Sequence, residues 1–555
     1  MRPLLAVLAL VPCVVSTVNA QTASLIVVNA RVWTGNRTRP WAEAVAVRGD
    51  RLAAVGSSAE AMKLADPGTR VIDAHGQMVV PGLIDSHVHF VDGGFDLTAV
   101  HLRDAATRAE FVARIKAFAA TLPPGVWIRG GTWDNTLWGG ELPTRHWIDS
   151  VTPNNPVWLD RVDGHSALAN SLALAAAHVT HATPDIAGGT IVRDAAGEPT
   201  GVFKDNAQRL VETVVSSPTD AMKDRALDAA MRYVAAQGVT TVMNMGYSWD
   251  DFETFQRARA AGRLRTRIYA AVPLARWAEL RDTIAARGRG DAWLRWGALK
   301  AFVDGSLGSH TAAMLQPFSD APTDTGLFVT PPESLYAWTA AADRAGLQVV
   351  VHAIGDRAIR TQLDIFERVE HENGPRDRRF RIEHAQHLAP ADIPRFAALG
   401  VIASMQPYHA IDDGRWADRV IGTERARTTY AFRSLLDAGA TLAFGSDWDV
   451  APATPIEGIY AAVTRRTLDG AHPDGWVPEQ KITVEEALRA YTVDGARAQF
   501  AEGELGMLAL GRLADFVLID RDLTRVAPAT IRDAHVVMTV IGGHVVYERG
   551  DHGGA

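Results

Sequence analysis

Cysteine is almost absent from this chain of 555 residues; its one example is Cys13. A disulfide framework is therefore excluded, and so is a thiolate metal site, leaving histidine, carboxylate or a less usual donor for any metal. Long runs of one charge are also missing, because 56 Lys and Arg are interspersed with 64 Asp and Glu for a formal net charge of -8. That leaves no nucleic-acid footprint and no polybasic membrane patch. Beyond residues 1–20, no segment has enough consecutive apolar residues to cross a bilayer. What is present is the balance of an ordinary globular protein, 47% hydrophobic and 22% charged, with 47 Gly and 27 Pro. Such a chain can bury a large core, and the partner expected for it is a small molecule.

Residues 1–20, MRPLLAVLALVPCVVSTVNA, set Arg2 before an apolar run from Leu4 to Val15 and close on Val18-Asn19-Ala20. This is the layout of a secretory signal cleaved after Ala20, and the run is short for a membrane span. Pro12 stands where a lipoprotein signal wants a small residue, so a lipid anchor on Cys13 is the weaker reading. The expectation is a secreted, periplasmic protein that keeps neither its cysteine nor a stable membrane anchor.

Residues 22–78 run through short alternating apolar stretches separated by Gly, Asn and Asp turns, and residues 501–550 repeat the style. Both read as antiparallel hairpins, and neither has enough strands to stand alone, so the two pieces are expected to share one β-sandwich. Residues 79–500 change rhythm. Apolar β-branched runs alternate there with helical stretches such as DAMKDRALDAAMRYVAAQ and PPESLYAWTAAADRAG. Eight strand candidates follow in order: MVVPGLIDSHVH, GVTTVMNMG, RTRIYAAV, WGALKAFVDG, LQVVVHAIG, FRIEHAQ, GVIASMQP and ATLAFGSDW. Alternation of this kind predicts an α/β protein built as a (β/α)8 TIM barrel, whose chemistry sits at the C-terminal strand ends. Strand one is followed by far more chain than one helix needs, so an insertion subdomain over about residues 91–218 is expected to cap the barrel mouth.

The strand ends carry the chemistry-bearing residues. His87 and His89 stand one residue apart in PGLIDSHVHF, where side-chain alternation puts both imidazoles on one face with Asp85. An isolated His-x-His is more often a satisfied pair in a half-buried strand than a metal site. Lys300 ends strand four, His352 strand five, His384 strand six and Asp447 strand eight. Each alone has a bland explanation as a core histidine or a paired charge. Six such residues at the C-terminal ends of one barrel converge on a single cavity, which reverses that preference.

PGLIDSHVH, the strand-four lysine, the two single histidines and GSD resemble the amidohydrolase superfamily of metal-dependent hydrolases. GHSALANSLAL, GEPTGVFKDNA, LKAFVDGSLGS, HAIGDRAI, EHAQ and GSDW are similar to its amidohydrolase-3 branch, which includes YtcJ-like proteins and N-substituted formamide deformylases. The resemblance implies a divalent metal centre of one or two ions. His87, His89 and Asp447 would hold one ion and His352 with His384 the other, bridged by Lys300 carboxylated to an N-carboxylysine. Nitrogen and oxygen donors suit zinc best, with manganese, cobalt and iron as alternatives. Lys204 in GVFKDNA is the weaker rival for the lysine role, since it lies in the insertion.

The implied activity is hydrolysis of a C–N amide bond, of an N-substituted formamide or N-acyl amine, by metal-activated hydroxide with Asp447 as catalytic base and then acid. Deamination or ester and lactone hydrolysis at the same site is the second reading, and a non-catalytic periplasmic metal- or ligand-binding protein the third. His165, His310, Trp133 and Trp448 are candidate substrate contacts; Asp356 and Gln386, with Trp448, are candidate supporting or wall residues. Two departures separate this chain from many relatives: Met243-Asn244 stands where His-Asp is usual, and His310 where arginine is common. Beyond the small-molecule substrate, the expected partners are further copies of the chain in a homo-oligomer.

Overall fold

The computed structural model describes residues 22–215 and 217–550; the export signal expected at residues 1–20 lies outside the described residues. The eight parallel strands expected from the sequence form one sheet in chain order: Leu83–Val88, Val239–Met245, Arg267–Pro273, Leu294–Phe302, Gln348–Ala353, Arg381–His384, Ile402–Met405 and Leu442–Phe444. A parallel bridge between Val88 and Trp448 brings its two edges together, with the Asp447 N–H donating to the His87 carbonyl at 2.7 Å. The result is the (β/α)8 barrel. Helices Asp220–Ala236 and Pro332–Arg344 match the helical stretches seen in the sequence. The first is started by Thr219, whose side chain accepts the Met222 N–H.

Strand one differs from expectation. MVVPGLIDSHVH is two strands: Met78–Pro81 pairs with Arg31–Trp33 and with Phe516–Ile519 in a six-stranded sheet, and only Leu83–Val88 enters the barrel. Gly82 makes the break. Its N–H donates to Asp515 at 2.9 Å, and a Cβ there would stand 2.2 Å from the Thr240 hydroxyl, so only glycine lets the chain pass between the two sheets. The six-stranded sheet packs with a four-stranded one formed by Leu25–Val28, Ala44–Arg48, Arg51–Gly56 and Arg70–Asp73. N-terminal and C-terminal strands thus build one sandwich, as neither could do alone.

Residues after strand one fold into a five-stranded sheet of Ile128–Trp133, Val157–Arg161, Ser166–Ala169, Gly189–Arg193 and Pro199–Asp205. This insertion has its own apolar core around Phe111, Trp133, Trp147 and Leu159. It meets the barrel mouth through polar contacts. Ser166 Oγ lies 2.8 Å from Ser309 Oγ, and the Lys204 ammonium donates to the Ser309 carbonyl at 2.9 Å. Lys204 is thereby committed to docking the insertion.

Sandwich and barrel are joined by a buried ion pair. Arg267, at the start of barrel strand three, donates from Nε and Nη2 to the two oxygens of Asp515 at 2.6 and 2.9 Å, and the Gly542 N–H also donates to Asp515. Removing one partner strands a desolvated charge. Asp515→Ala is expected to destabilise the protein by about 3 kcal/mol or more, read as a lowered Tm in calorimetry; an unchanged Tm would show that the junction holds without the pair.

Candidate functional site

Along strand four Lys300 shares its face with Ala298, and along strand five His352 shares its face with Val350; Ala298 and Val350 belong to the packed barrel interior. Period-two alternation therefore lifts the amine and the imidazole to the top of that interior. Strand six needs a different device. Arg381 and Glu383 point inward, so alternation would turn His384 away, but His384 has φ 70° and swings back over the mouth. Asp447 likewise has φ 62°. Left-handed backbone at non-glycine residues costs free energy and persists where the surroundings impose it.

The six residues meet. The His87 Nε2 lies 3.2 Å from Asp447 Oδ1, the His89 Nε2 3.3 Å from the same oxygen, and the Lys300 Nζ 3.3 Å from His87 Nε2. The His384 ring sits 4.8 Å from that of His87 and 4.5 Å from that of His352. Donor atoms of His87, His384 and Asp447 all fall within 4.8 Å of one another. All six side chains are buried.

What surrounds them fixes their roles. The His87 Nδ1 is 2.6 Å from Glu383, and Arg381 grips Glu383 through Nε and Nη2 at 2.7 and 3.0 Å. The Glu383 carboxylate accepts the His87 Nδ1–H, which leaves Nε2 facing Asp447. Burial alone would raise Glu383, but the Arg381 guanidinium and His87 outweigh it and hold the carboxyl down to about 2. The Gln406 side-chain oxygen sits 2.9 Å from His384 Nδ1, and the Gly305 carbonyl 3.0 Å from His352 Nε2. Burial lowers His89 to about 4 and pushes His352 and His384 well down, so all three are neutral at pH 7. Burial likewise brings Lys300 down to about 8. Burial would raise Asp447, yet His87, His89 and His384 draw it well below the carboxylate range.

These groups fit a cation. Asp447 Oδ1 is buried and makes no aligned hydrogen bond, although two imidazole nitrogens stand within 3.3 Å of it. Two imidazole nitrogens, with the Lys300 amine beside one of them, thus surround a carboxylate oxygen that has no aligned hydrogen bond, a donor set that a bound metal would satisfy. The donor chemistry, nitrogen and oxygen with no sulfur, is that of a divalent transition metal.

Asp85, which shares a face with the histidines in the sequence pattern, turns elsewhere. It accepts the N–H groups of Ser446 at 2.8 Å and His87 at 3.3 Å, pinning strand eight to strand one. The cavity above the donors opens to solvent at the barrel mouth. His165 lines it, with its Nδ1 2.6 Å from Asp205 and its ring 5.0 Å from that of His352. Gln386 lines it too, and its amide donates to Asp413 at 2.8 Å.

Three expected substrate contacts are placed otherwise. Trp133 is fully buried in the insertion core with its indole N–H on the Leu159 carbonyl, and the glycines before it lie within its strand. Trp448 packs behind the site against Phe90 and Tyr233 and serves it through its backbone carbonyl, which accepts the His89 N–H. His310 bonds Asp320 at 3.0 Å and packs on Phe318, outside the cavity lining. Asp356 opens helix Asp356–Asn373 and accepts the Leu315 N–H, a structural duty.

Four contributors carry no motif of their own in the sequence. Tyr247 stacks on His89 at 4.3 Å with its hydroxyl 3.0 Å from His89 Nε2. His409, on helix Pro407–Asp413, brings a buried, unpartnered Nε2 to 4.0 Å from Asp447 Oδ2. Arg161 enters from the insertion. Asp413 ends the His409 helix, and burial pushes its carboxyl up to about 7.

Imidazoles, a carboxylate and an amine gathered at the C-terminal mouth of a parallel barrel place this protein among the metal-dependent hydrolases. More narrowly, the Amidohydrolase family model matches residues 70–547, and the chain belongs to that family, in the branch its motifs resemble. It is 42% identical over 537 residues to Protein LONG AFTER FAR-RED 3 of Arabidopsis thaliana, covering 95% of this chain and 92% of the relative. The amidohydrolase-type protein YtcJ of Bacillus subtilis is 32% identical, with 88% of this chain and 92% of that one covered. The N-substituted formamide deformylase of Arthrobacter pascens is 30% identical, with 95% and 99% covered. An uncharacterized metal-dependent hydrolase from Pyrococcus horikoshii OT3 has a similar crystal structure, with TM-score 0.73 and 27% identity over 91% of this chain and 99% of that one.

Glu383 ties the site to stability in the metal-free protein. Its folded value of about 2 lies below the ordinary 4.5, so its contribution is fully present above 4.5 and fades as pH falls toward 2. Glu383→Gln is expected to flatten urea-unfolding stability across that acid window and to weaken metal retention by about 10- to 100-fold. Wild-type slope and wild-type metal content in the variant would remove Glu383 from this role.

Proposed function

We propose that this protein hydrolyses a C–N amide bond, with N-substituted formamides or N-acyl amines as substrate class. The observation that carries the reading is the Asp447 carboxylate, buried and unmatched at Oδ1 between two imidazole nitrogens at 3.2 and 3.3 Å. His87, His89 and Asp447 would hold one divalent ion, zinc on donor chemistry, and His352 with His384 a second. A metal bound there supplies a Lewis acid and makes water acidic enough to attack near neutral pH. Likeness to the N-substituted formamide deformylase supports the choice of bond.

The chain's own groups then do the following. Asp447 takes the proton of the attacking water at its carboxylate and passes it to the departing nitrogen, which leaves as a neutral amine. His165, whose pKa burial would lower but the Asp205 carboxylate raises, and His409, whose pKa burial lowers, line the same cavity and orient the substrate around that carboxylate. Lys300, whose amine is brought down to about 8 by burial, adds carbon dioxide through Nζ and loses a proton. The N-carboxylate so formed would be the anionic ligand that strand four contributes to a bound metal. Residues 1–20 support export to the periplasm, where the chain would meet its substrate.

Metal analysis with an activity screen tests this reading. Lys300→Ala is expected to lose metal and turnover together, and full metal content with full turnover in that variant would end the proposal. Asp447→Asn is expected to reduce kcat by about 100-fold or more. Release of an amine, as opposed to ammonia or an alcohol, separates amide hydrolysis from deamination and ester cleavage.

A further inference from the structure

Beside the metal donors, the cavity wall carries four carboxylates and two guanidiniums: Asp134, Asp163, Asp412 and Asp413 against Arg161 and Arg415. Both guanidiniums are already matched. Arg161 binds Asp163 at 2.5 Å with Asp134 at 3.8 Å, and Arg415 binds Asp412 and, at 3.3 Å, Asp134. Asp413 remains. Among the described residues it forms no ion pair, and its two hydrogen bonds come from neutral donors, the Tyr430 hydroxyl at 2.5 Å and the Gln386 amide at 2.8 Å. Both fall on Oδ2, while a carboxylate accepts at two oxygens.

We propose that the substrate's leaving amine carries a second, cationic amine, and that Asp413 holds this ammonium. The inference rests on the amide-hydrolase reading above and names its substrate class: mono-acylated diamines, or amides whose nitrogen substituent ends in an ammonium. A formyl or other small acyl group has no arm of its own, so the recognition group lies on the nitrogen side. A carboxylate in a partly desolvated wall gains from a counter-cation, and a charge-assisted bond is stronger than one to the neutral donors it now has. An alkyl or aryl arm would desolvate Asp413 and give nothing back, which is how a site built for a polar group rejects the analogue lacking it. An anionic arm would meet four carboxylates whose two guanidiniums are spoken for.

The metal-loaded full chain tests the proposal with mono-N-formyl diamines of increasing spacer length, N-alkylformamides of matched length, and N-formyl amino acids whose arm ends in carboxylate. Wild type is expected to prefer the best ammonium-bearing substrate by about 10- to 100-fold in kcat/KM, the weight of a hydrogen bond between charged partners. Asp413→Asn is expected to abolish that preference mainly through KM while still cleaving the alkyl substrates. Tyr430→Phe, which keeps the carboxylate, is expected to retain the preference and guards against a folding defect in the first variant. Calorimetric binding of the free diamines and monoalkylamines makes the same comparison without turnover. If no formamide is cleaved but diamines bind more tightly than alkylamines to wild type and not to Asp413→Asn, the amide reading fails and the cation site stands. Equal handling of ammonium and alkyl arms, preference for carboxylate arms, or a preference that survives Asp413→Asn overturns it.

Discussion

A carboxylate oxygen, Asp447 Oδ1, shares a buried space with the Nε2 atoms of His87 and His89, beside the Lys300 amine that burial brings down to about 8. None of these groups belongs in an apolar interior by itself, and together they are tolerable only around positive charge. That constraint organises the molecule. The barrel supplies directions, because strand ends aim side chains at one axial point; the shell behind supplies fixation. Arg381 and Glu383 set the His87 tautomer, Gln406 faces His384, and Asp85 stitches strand eight to strand one.

The insertion completes what the barrel lacks. A bare barrel mouth would open the donors to bulk water, weakening each electrostatic contact. The five-stranded sheet lowers His165, Arg161 and Asp163 over the mouth, and Ser166 and Lys204 hold it there against Ser309. The helix after strand seven closes the other side with His409 and Asp413. His165, Arg161, His409 and Asp413 thus come from the insertion and a loop helix, while His87, Lys300, His352 and His384 stand on barrel strands.

Legibility followed the same division. His87-x-His89 could be read because strands repeat every two residues, and Lys300 and His352 because a polar residue in an apolar run must have a reason to be there. Glu383 and Arg381 were in view within FRIEHAQ, yet nothing local says that a carboxylate two residues from an arginine will meet His87, almost 300 positions away. Asp85 misleads for a related cause: it shares the strand face but finds backbone N–H groups first. Trp133, Trp448 and His310 stand out by glycine neighbours and motif position, and neither reports which way a ring points once the segment packs. The break at Gly82 was hidden because both halves of MVVPGLIDSHVH are apolar and only a partner strand separates them.

By itself the sequence determined the barrel, the shared sandwich and the insertion, and it singled out six polar residues at strand ends, because these follow from periodicity and from the rule that polar groups in apolar strands need partners. Only the tertiary structure decided which atoms face one another: that Asp447 Oδ1 lies between imidazoles, that Glu383 stands behind His87, and that Asp413 has no cationic partner among the described residues. Contacts of that kind depend on distances between residues remote along the chain, and local pattern carries no information about them.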